Sequence, residues 1–208
     1  MSDPAALVAD ARAFLGALAR NNSRDWFQAH RADYDAKLKE PAQRLLADLA
    51  ERLGRTTGEP MTTKLFRIHR DVRFSKDKTP YNTHLHMLWQ QSSHRDGPGW
   101  FYGIGLDYLR TGWGWMSFTP AQLSTWRDAV DGPYGAGIDA AIAACGMEIG
   151  GPELKRVPAP HAKDHPLAEH LRRKSLVLWS DPPDGAAGSL MAEFARIEPL
   201  RKALSGLL

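Results

Sequence analysis

The chain has 208 residues, of which 43% are hydrophobic and 25% charged, and its formal net charge is +3. These values are ordinary for a globular protein and exclude the disordered and fibrous classes. The small charge excess argues against general duplex binding, which needs many phosphate contacts. No window approaches the roughly 18 apolar residues of a membrane span, and the start carries acids where a signal peptide is basic, so we expect a cytoplasmic protein without a membrane partner.

We predict a single domain over residues 1–208, because each half alone would be small for independent stability. It divides into a helical layer (1–55), antiparallel strands (62–118) and a mixed part of helices and short strands (119–208). The predicted fold class is α+β. An antiparallel sheet, a meander of about four to six strands, is covered by N-terminal helices and further C-terminal helices.

Three helices are predicted in the N-terminal layer. The first begins at Pro4, with Asp3 as its cap, and stops at Asn21-Asn22, residues that tolerate the left-handed conformation. Ser23 caps the second, which carries aromatic residues at helical spacing. Pro41 opens the third, whose leucine stripe ends at Gly54.

The apolar period then changes from 3.6 to 2, which indicates strands. The predicted strands cover 63–74, 84–90, 100–109 and 113–118. The segments DKTP, RDGPG and RTG between them are typical of turns, and TGWG at 111–114 is typical of a hairpin turn. Trp113 and Trp115 share a strand face, and we expect them to fill a core rather than form a stacking wall for a ligand.

The C-terminal part alternates between helical and strand patterns. Helices are predicted at 119–130 and 136–145, a short strand at 153–157, a short helix from Pro166 and a strand at 175–179. A loop at 181–188 precedes a terminal helix that is bent or broken at Pro199. The single cysteine, Cys145, excludes an intrachain disulfide framework and is expected to be a buried, inert thiol.

The most informative stretch is FRIHRDVRFSKDKTPYNTH, residues 66–84, which is predicted to be a β-hairpin. Six lysines and arginines and two aspartates between Lys64 and Lys78 give that segment a net charge of +4. This exceeds the net charge of the whole chain. A local surplus of this kind attracts anions.

Strand alternation assigns the residues of this stretch to two faces. The apolar face holds Phe66, Ile68, Arg70, Val72 and Phe74, and the polar face holds Arg67, His69, Asp71 and Arg73. On the apolar face Arg70 needs a carboxylate, backbone carbonyls or an anionic ligand as its partner. In a regular strand the Arg70 side chain cannot point into the same pocket as Arg67 and Arg73, unless a bulge between them resets the alternation.

The turn after Phe74 allows two interpretations. Its lysines and backbone N–H groups could bind a phosphate or carboxylate, or it could be a solvated turn in which Asp77 caps the local backbone. The candidate ligand-binding residues of the whole stretch are Arg67, Arg70, Asp71, Arg73, Lys76, Asp77, Lys78 and Tyr81.

Histidines of the same stretch raise the question of a metal. His84 and His86 lie on one face of the next strand and could coordinate a divalent ion together with His69 and Asp71. Half-buried histidines are also common in sheets, and we predict neither a metal nor a cofactor. Phosphate-loop, nucleophile-elbow and HExxH motifs are absent from the sequence.

The charged residues also resemble the motif RxxRDxRFxxDKxxY of a bacterial and fungal family of conserved hypothetical proteins of unknown function. The match runs from Arg67 to Tyr81. Further similarities are Asn21-Asn22, Trp26-Phe27, Leu123, Arg127, Asp164-His165-Pro166, Leu171 and Lys174. The resemblance implies no reaction. It implies that the charged hairpin is what the members share, and that His84 and His86 lie outside the shared pattern.

Three functions remain open. The favoured one is recognition of a phosphate or carboxylate ligand by the basic hairpin, with Asp77 or Asp71 as general base if there is catalysis. The second is a structural or protein-interaction role, in which the motif is a salt-bridge network that docks the helical layer. The third is single-stranded nucleic-acid binding through the hairpin and nearby tryptophans.

Overall fold

The structure is a computed structural model that describes residues 4–93, 96–182 and 190–208. In the described residues, a six-stranded antiparallel sheet has the order β1-β2-β3-β4-β6-β5. The predicted α+β class, with N-terminal and C-terminal helices around this sheet, is confirmed. The strands are β1 Met61–Leu65, β2 Leu85–Gln91, β3 Gly99–Ile104, β4 Leu109–Trp115, β5 Glu148–Gly150 and β6 Leu176–Ser180.

Most helices begin and end close to the residues predicted from the sequence. They are α1 Pro4–Arg20, α2 Arg24–Ala29, α3 Arg31–Tyr34, a π-helical turn Asp35–Lys39, α4 Glu40–Thr57, α5 Pro120–Asp131, α6 Gly135–Cys145, α7 Ala168–Arg172, α8 Leu190–Ala195 and α9 Glu198–Leu204. Ser23 caps α2 through its side chain, as predicted, and the break predicted at Pro199 is present, because α8 ends at Ala195 and Pro199 lies in the first turn of α9. The Thr119 side chain caps α5. None of these helices is long and apolar enough to cross a membrane.

The chain forms two compact units that interleave along the sequence. The first comprises Met1–Ser93, Phe101–Thr111 and Asp181–Met191. The second comprises His94–Trp100, Gly112–Ser180 and Ala192–Leu208. The single domain inferred from length stays a prediction. The expected cap Asp3 and most of the expected loop at 181–188 lie outside the described residues.

In the first unit, α4 is longer than predicted. Its leucine stripe is buried as expected, but the helix passes through Gly54 and ends at Gly58, whose φ of +78° is the left-handed conformation that favours glycine. Trp89 of β2 is fully buried, and its indole N–H donates to the carbonyl of Leu46 in α4 at 2.9 Å. This contact attaches the helix to the sheet.

The largest correction concerns residues 66–84, which we call the arm. β1 pairs with β2 up to Leu65 opposite Met87, and the regular strand stops there instead of continuing to residue 74. An isolated bridge between His69 and Tyr81 then holds the two sides of the arm together. Three residues lie between Leu65 and His69, but five lie between Tyr81 and Met87, so the irregularity adds two residues on the return side. It does not fall between Arg67 and Arg73.

In the second unit, the predicted turn at TGWG is wrong, because β4 runs through it. Gly112 and Gly114 lie inside the strand, where a Cβ would overlap the Trp179 ring and the carbonyl oxygen of Leu176, respectively. Trp113 and Trp115 are buried, as expected for core residues. Close backbone approach, rather than a turn, is the reason for these glycines.

Other corrections in the second unit are smaller. The predicted strand at 153–157 is reduced to an isolated bridge between Glu153 and Arg173, and β5 lies just before it. α7 begins at Ala168 rather than at Pro166. Cys145 is buried as expected, and burial raises the pKa of its thiol, which favours the unreactive protonated form.

Candidate functional site

Arg70 organises the tip of the arm. Its Nη1 donates to Oδ2 of Asp77 at 2.5 Å, to the carbonyl of Thr79 at 3.2 Å and to the Thr79 hydroxyl. The side chain is 25% exposed. The carboxylate and carbonyl partners predicted for Arg70 are therefore present, and both come from the arm itself.

The two aspartates of the arm are also engaged. The backbone N–H of Thr79 and the Arg70 guanidinium hold the pKa of Asp77 down at about 2. Asp71 accepts from Nε and Nη2 of Arg73 at 2.9 and 2.6 Å, and this pairing lowers the pKa of Asp71. The low pKa makes both carboxylates weak bases, and their oxygens already accept hydrogen bonds, so the arrangement does not suit the predicted role of a general base.

The remaining residues of the tip face solvent. Lys78 donates to the carbonyl of Val72 at 3.0 Å, and Lys76 is exposed. Phe74 was predicted on the apolar face, but it is 95% exposed, so that prediction is wrong. The guanidinium of Arg73 lies 5.9 Å from the centre of the Phe74 ring.

The base of the arm is anchored on α2. Tyr81 is 3% exposed and its ring stacks on Phe27 at 4.3 Å. Asn22, between α1 and α2, donates to the carbonyl of Tyr81 at 2.9 Å and accepts from its N–H at 3.1 Å. His69 lies against the same two rings. Tyr81 is thus placed where it orients the arm.

A cavity of about 290 Å³ opens beside this anchor, and we call it the α3 cavity. Of the eight candidate residues predicted from the sequence, Arg67 lines it and the other seven do not. Its polar lining is Arg31, Tyr34, Asp35, Lys39, Gln43, Arg67 and His69. Its apolar lining is Phe27, Leu65, Phe66 and Ile68.

The α3 cavity has a surplus of positive charge. Asp35 lies 3.6 Å from Nε of Arg31 and 3.4 Å from Nζ of Lys39, so one carboxylate holds two cations. Among the residues that the structure describes, the guanidinium of Arg67 forms no hydrogen bond or ion pair, and its charge is the smallest of the causes that lower the pKa of Asp71. Burial, and then Asp35, raise the pKa of Tyr34, whose hydroxyl therefore stays protonated and able to donate.

Sequence reasoning missed the half of the cavity that comes from the helical layer. Asp35 and Lys39 are the ends of the π-helical turn, a rare local structure that is frequent at functional sites. One signal was available, because Arg31, Asp35 and Lys39 are spaced by four residues and therefore share a helix face. That spacing predicts ion pairs but does not reveal which surface faces them.

The histidines of the sheet form a stack. The ring centres of His84 and His86 lie 3.8 Å apart, and Nε2 of His86 is 2.6 Å from the hydroxyl oxygen of Tyr108. Burial, and then His84, lower the pKa of His86 to about 4, so the ring is neutral at pH 7. Within residues 4–93, 96–182 and 190–208, no three histidine, cysteine or acidic side chains are arranged to hold a metal ion.

The residues of the second unit that resemble the family pattern have structural contacts. Nδ1 of His165 accepts from the N–H of Leu167 at 3.0 Å, just before α7. Nε of Arg127 donates to the carbonyl of Leu171 at 3.3 Å. These contacts join α5 to the segment around α7.

Fold and site together define an α+β protein with a charged β-arm beside a cationic cavity. The model of the family described as Conserved hypothetical protein (DUF2461) matches residues 10–196. The chain therefore belongs to this family of conserved hypothetical proteins. No curated protein matches the chain.

Proposed function

We propose that the protein binds a small anionic ligand, with a phosphate or carboxylate group, in the α3 cavity. The observation that carries the proposal is the position of Arg67. Arg70 and Arg73 form ion pairs with aspartates of the arm, whereas Arg67 lines the cavity and interacts with Asp71 only as a smaller, longer-range influence on the pKa of that carboxyl. An arginine without a protein acceptor is suited to bind an acceptor supplied by a ligand.

The neighbours of Arg67 support the same role. Asp35 pairs with Arg31 and with Lys39 at the other side of the lining, which keeps these two cations close to each other. The carbonyl of Arg67 accepts from the side chain of Asn82 at 3.2 Å, which fixes the backbone that carries the guanidinium. A site that is ordered in advance loses less entropy on binding.

The Arg67→Met variant should lose most of the anion affinity. A hydrogen bond to a charged group contributes about 1.5–3 kcal/mol, so we expect binding of inorganic phosphate to weaken about 10- to 100-fold. Thermal-shift titrations with phosphate measure this, at an ionic strength held constant with chloride. The wild type should show a melting temperature that rises with phosphate, and the variant should show little rise.

Arg44→Met is the matched control for this experiment. Arg44 is an exposed arginine of α4 that pairs with Glu40 and does not line the α3 cavity. It should respond to phosphate like the wild type. An equal response of Arg67→Met and Arg44→Met would mean that phosphate acts by general salt stabilisation, and the proposal would fail.

A second candidate function is supported by the tip of the arm. Phe74 is 95% exposed, next to Arg73 and close in sequence to the exposed Lys76 and Lys78. Aromatic rings flanked by cations stack on the bases of single-stranded nucleic acid while the cations contact phosphates. We propose this as an additional contact of the arm, separate from the ligand of the cavity.

Phe74→Ser tests this second function. Loss of one stacked base costs about 1–3 kcal/mol, so the affinity for a fluorescent single-stranded oligonucleotide should fall about 5- to 100-fold. Fluorescence anisotropy at two salt concentrations measures it, and wild-type affinity should decrease with salt. Met116→Ser, at a side chain that is 68% exposed, is the control. Equal affinities of the two variants would exclude stacking on Phe74.

A further inference from the structure

We infer that the α3 cavity takes a phosphate monoester, a phosphate group joined to a small apolar organic group, in preference to a carboxylate. The inference rests on the proposed function, because it names the class of anion for the same cavity. Three features of the lining point to it: the surplus charge, the excess of hydrogen-bond donors and the apolar wall.

The surplus charge of the lining matches a phosphate. Arg31, Lys39 and Arg67 face a single carboxylate, Asp35, so two positive charges are left over. A phosphate monoester carries about −1.5 to −2 charges at pH 7, whereas a carboxylate carries one. A carboxylate would therefore leave about one cation without a counter-charge, and this is more costly in a partly enclosed site than in water.

The polar side chains of the cavity are mainly donors. The lining residues include two arginines, one lysine and Tyr34, whose raised pKa keeps its hydroxyl protonated. The carboxylate of Asp35, the acidic acceptor of the lining, already holds Arg31 and Lys39. A dianionic phosphate presents three oxygens that only accept, and the fork of a guanidinium matches two of them. The lining thus suits a group that is rich in acceptors.

The other wall of the cavity is apolar. Leu65 and Phe66 are half-buried and line it together with Phe27. The volume of about 290 Å³ is at the lower end of the ~300–1,000 Å³ of sites for drug-sized ligands. There is room for a phosphate and a small apolar group such as a phenyl ring, which would pack against Phe66.

Isothermal titration calorimetry of the full chain with three probes tests the inference. We expect phenyl phosphate to bind about tenfold more tightly than benzoate, and several-fold more tightly than inorganic phosphate. Lys39→Met should weaken phenyl phosphate binding about tenfold and reduce its advantage over benzoate, because the surplus falls to one charge.

Lys37→Met is the matched control for Lys39→Met. Both lysines lie on the π-helical turn, with side chains 55% and 43% exposed, and each pairs with the aspartate four residues earlier. Lys37 does not line the cavity, so its variant should keep the wild-type affinities for all three probes.

Each outcome separates the inference from the function on which it rests. Benzoate that binds as tightly as phenyl phosphate would overturn the preference for phosphate and leave anion recognition standing. Inorganic phosphate that binds as tightly as phenyl phosphate would overturn the organic part of the ligand. Failure of all three probes to bind, or phenyl phosphate binding that Arg67→Met does not weaken, would overturn the proposed function and the inference together.

Discussion

The Asn22→Ala variant should lose about 2–6 kcal/mol of the free energy of unfolding. Asn22 satisfies both the N–H and the carbonyl of Tyr81, at 3.1 and 2.9 Å. Tyr81 is buried, so the substitution leaves two backbone groups without their partners, and each costs about 1–3 kcal/mol. Urea denaturation followed by circular dichroism measures the loss.

The neighbouring asparagine provides the control for this variant. The side chain of Asn21 donates one exposed hydrogen bond to the carbonyl of Ala17 at 3.0 Å. Asn21→Ala should therefore lower the free energy of unfolding by less than about 1 kcal/mol. A free energy of unfolding that is equal in the two variants would show that the contacts with Tyr81 are not net stabilising. Asn22→Ala should also weaken phosphate binding, because the anchored base of the arm carries Arg67 beside the α3 cavity.

In the second unit, Gly114→Ala should lower the free energy of unfolding by more than about 4 kcal/mol. The φ of Gly114 is +136°, a conformation that alanine resists, and the new Cβ would overlap the carbonyl oxygen of Leu176 in β6. The backbone of one strand would have to move to relieve the overlap. Thermal unfolding, or the yield of soluble protein if the variant does not fold, measures the effect.

Gly137→Ala is the control for Gly114→Ala. Gly137 is exposed in α6 and a Cβ there meets no atom within 4 Å. Because alanine has the higher helix propensity, this variant should be about 0.5–1 kcal/mol more stable than the wild type. If Gly114→Ala is as stable as Gly137→Ala, the close approach of β4 and β6 at Gly114 is disproved.

The arm shows why alternation along a strand was a poor guide to the site. Parity correctly marked Arg70 as a residue that needs an acceptor, but it assumed a regular strand to residue 74. The regular ladder ends at Leu65, after which hydrogen bonds within the arm decide each orientation. Asp77 and Thr79 hold Arg70, and Phe74 is turned into solvent. A bulge that brings Arg70 to the face of Arg67 and Arg73 requires a regular strand through these residues, and the strand ends before them.

The α3 cavity shows a second limit of sequence reasoning. Arg67 belongs to a conspicuous charged motif and was predicted as a ligand contact. Its neighbours Arg31 and Lys39 lie about thirty residues earlier, in the predicted helical layer. Local patterns do not predict contacts between segments that are distant in sequence. The sequence therefore did not indicate that these residues line one cavity.

By itself, the sequence determined the features that depend on local physics: the α+β class, the side-chain cap at Ser23, the buried leucine stripe of α4 and the need of Arg70 for a hydrogen-bond acceptor. Only the tertiary structure decided which charges pair with one another, and why residues 112 and 114 are glycines. The reason is that an ion pair, a cavity and a close backbone approach each depend on the distance between separate segments of the chain, and composition and periodicity carry no such distance.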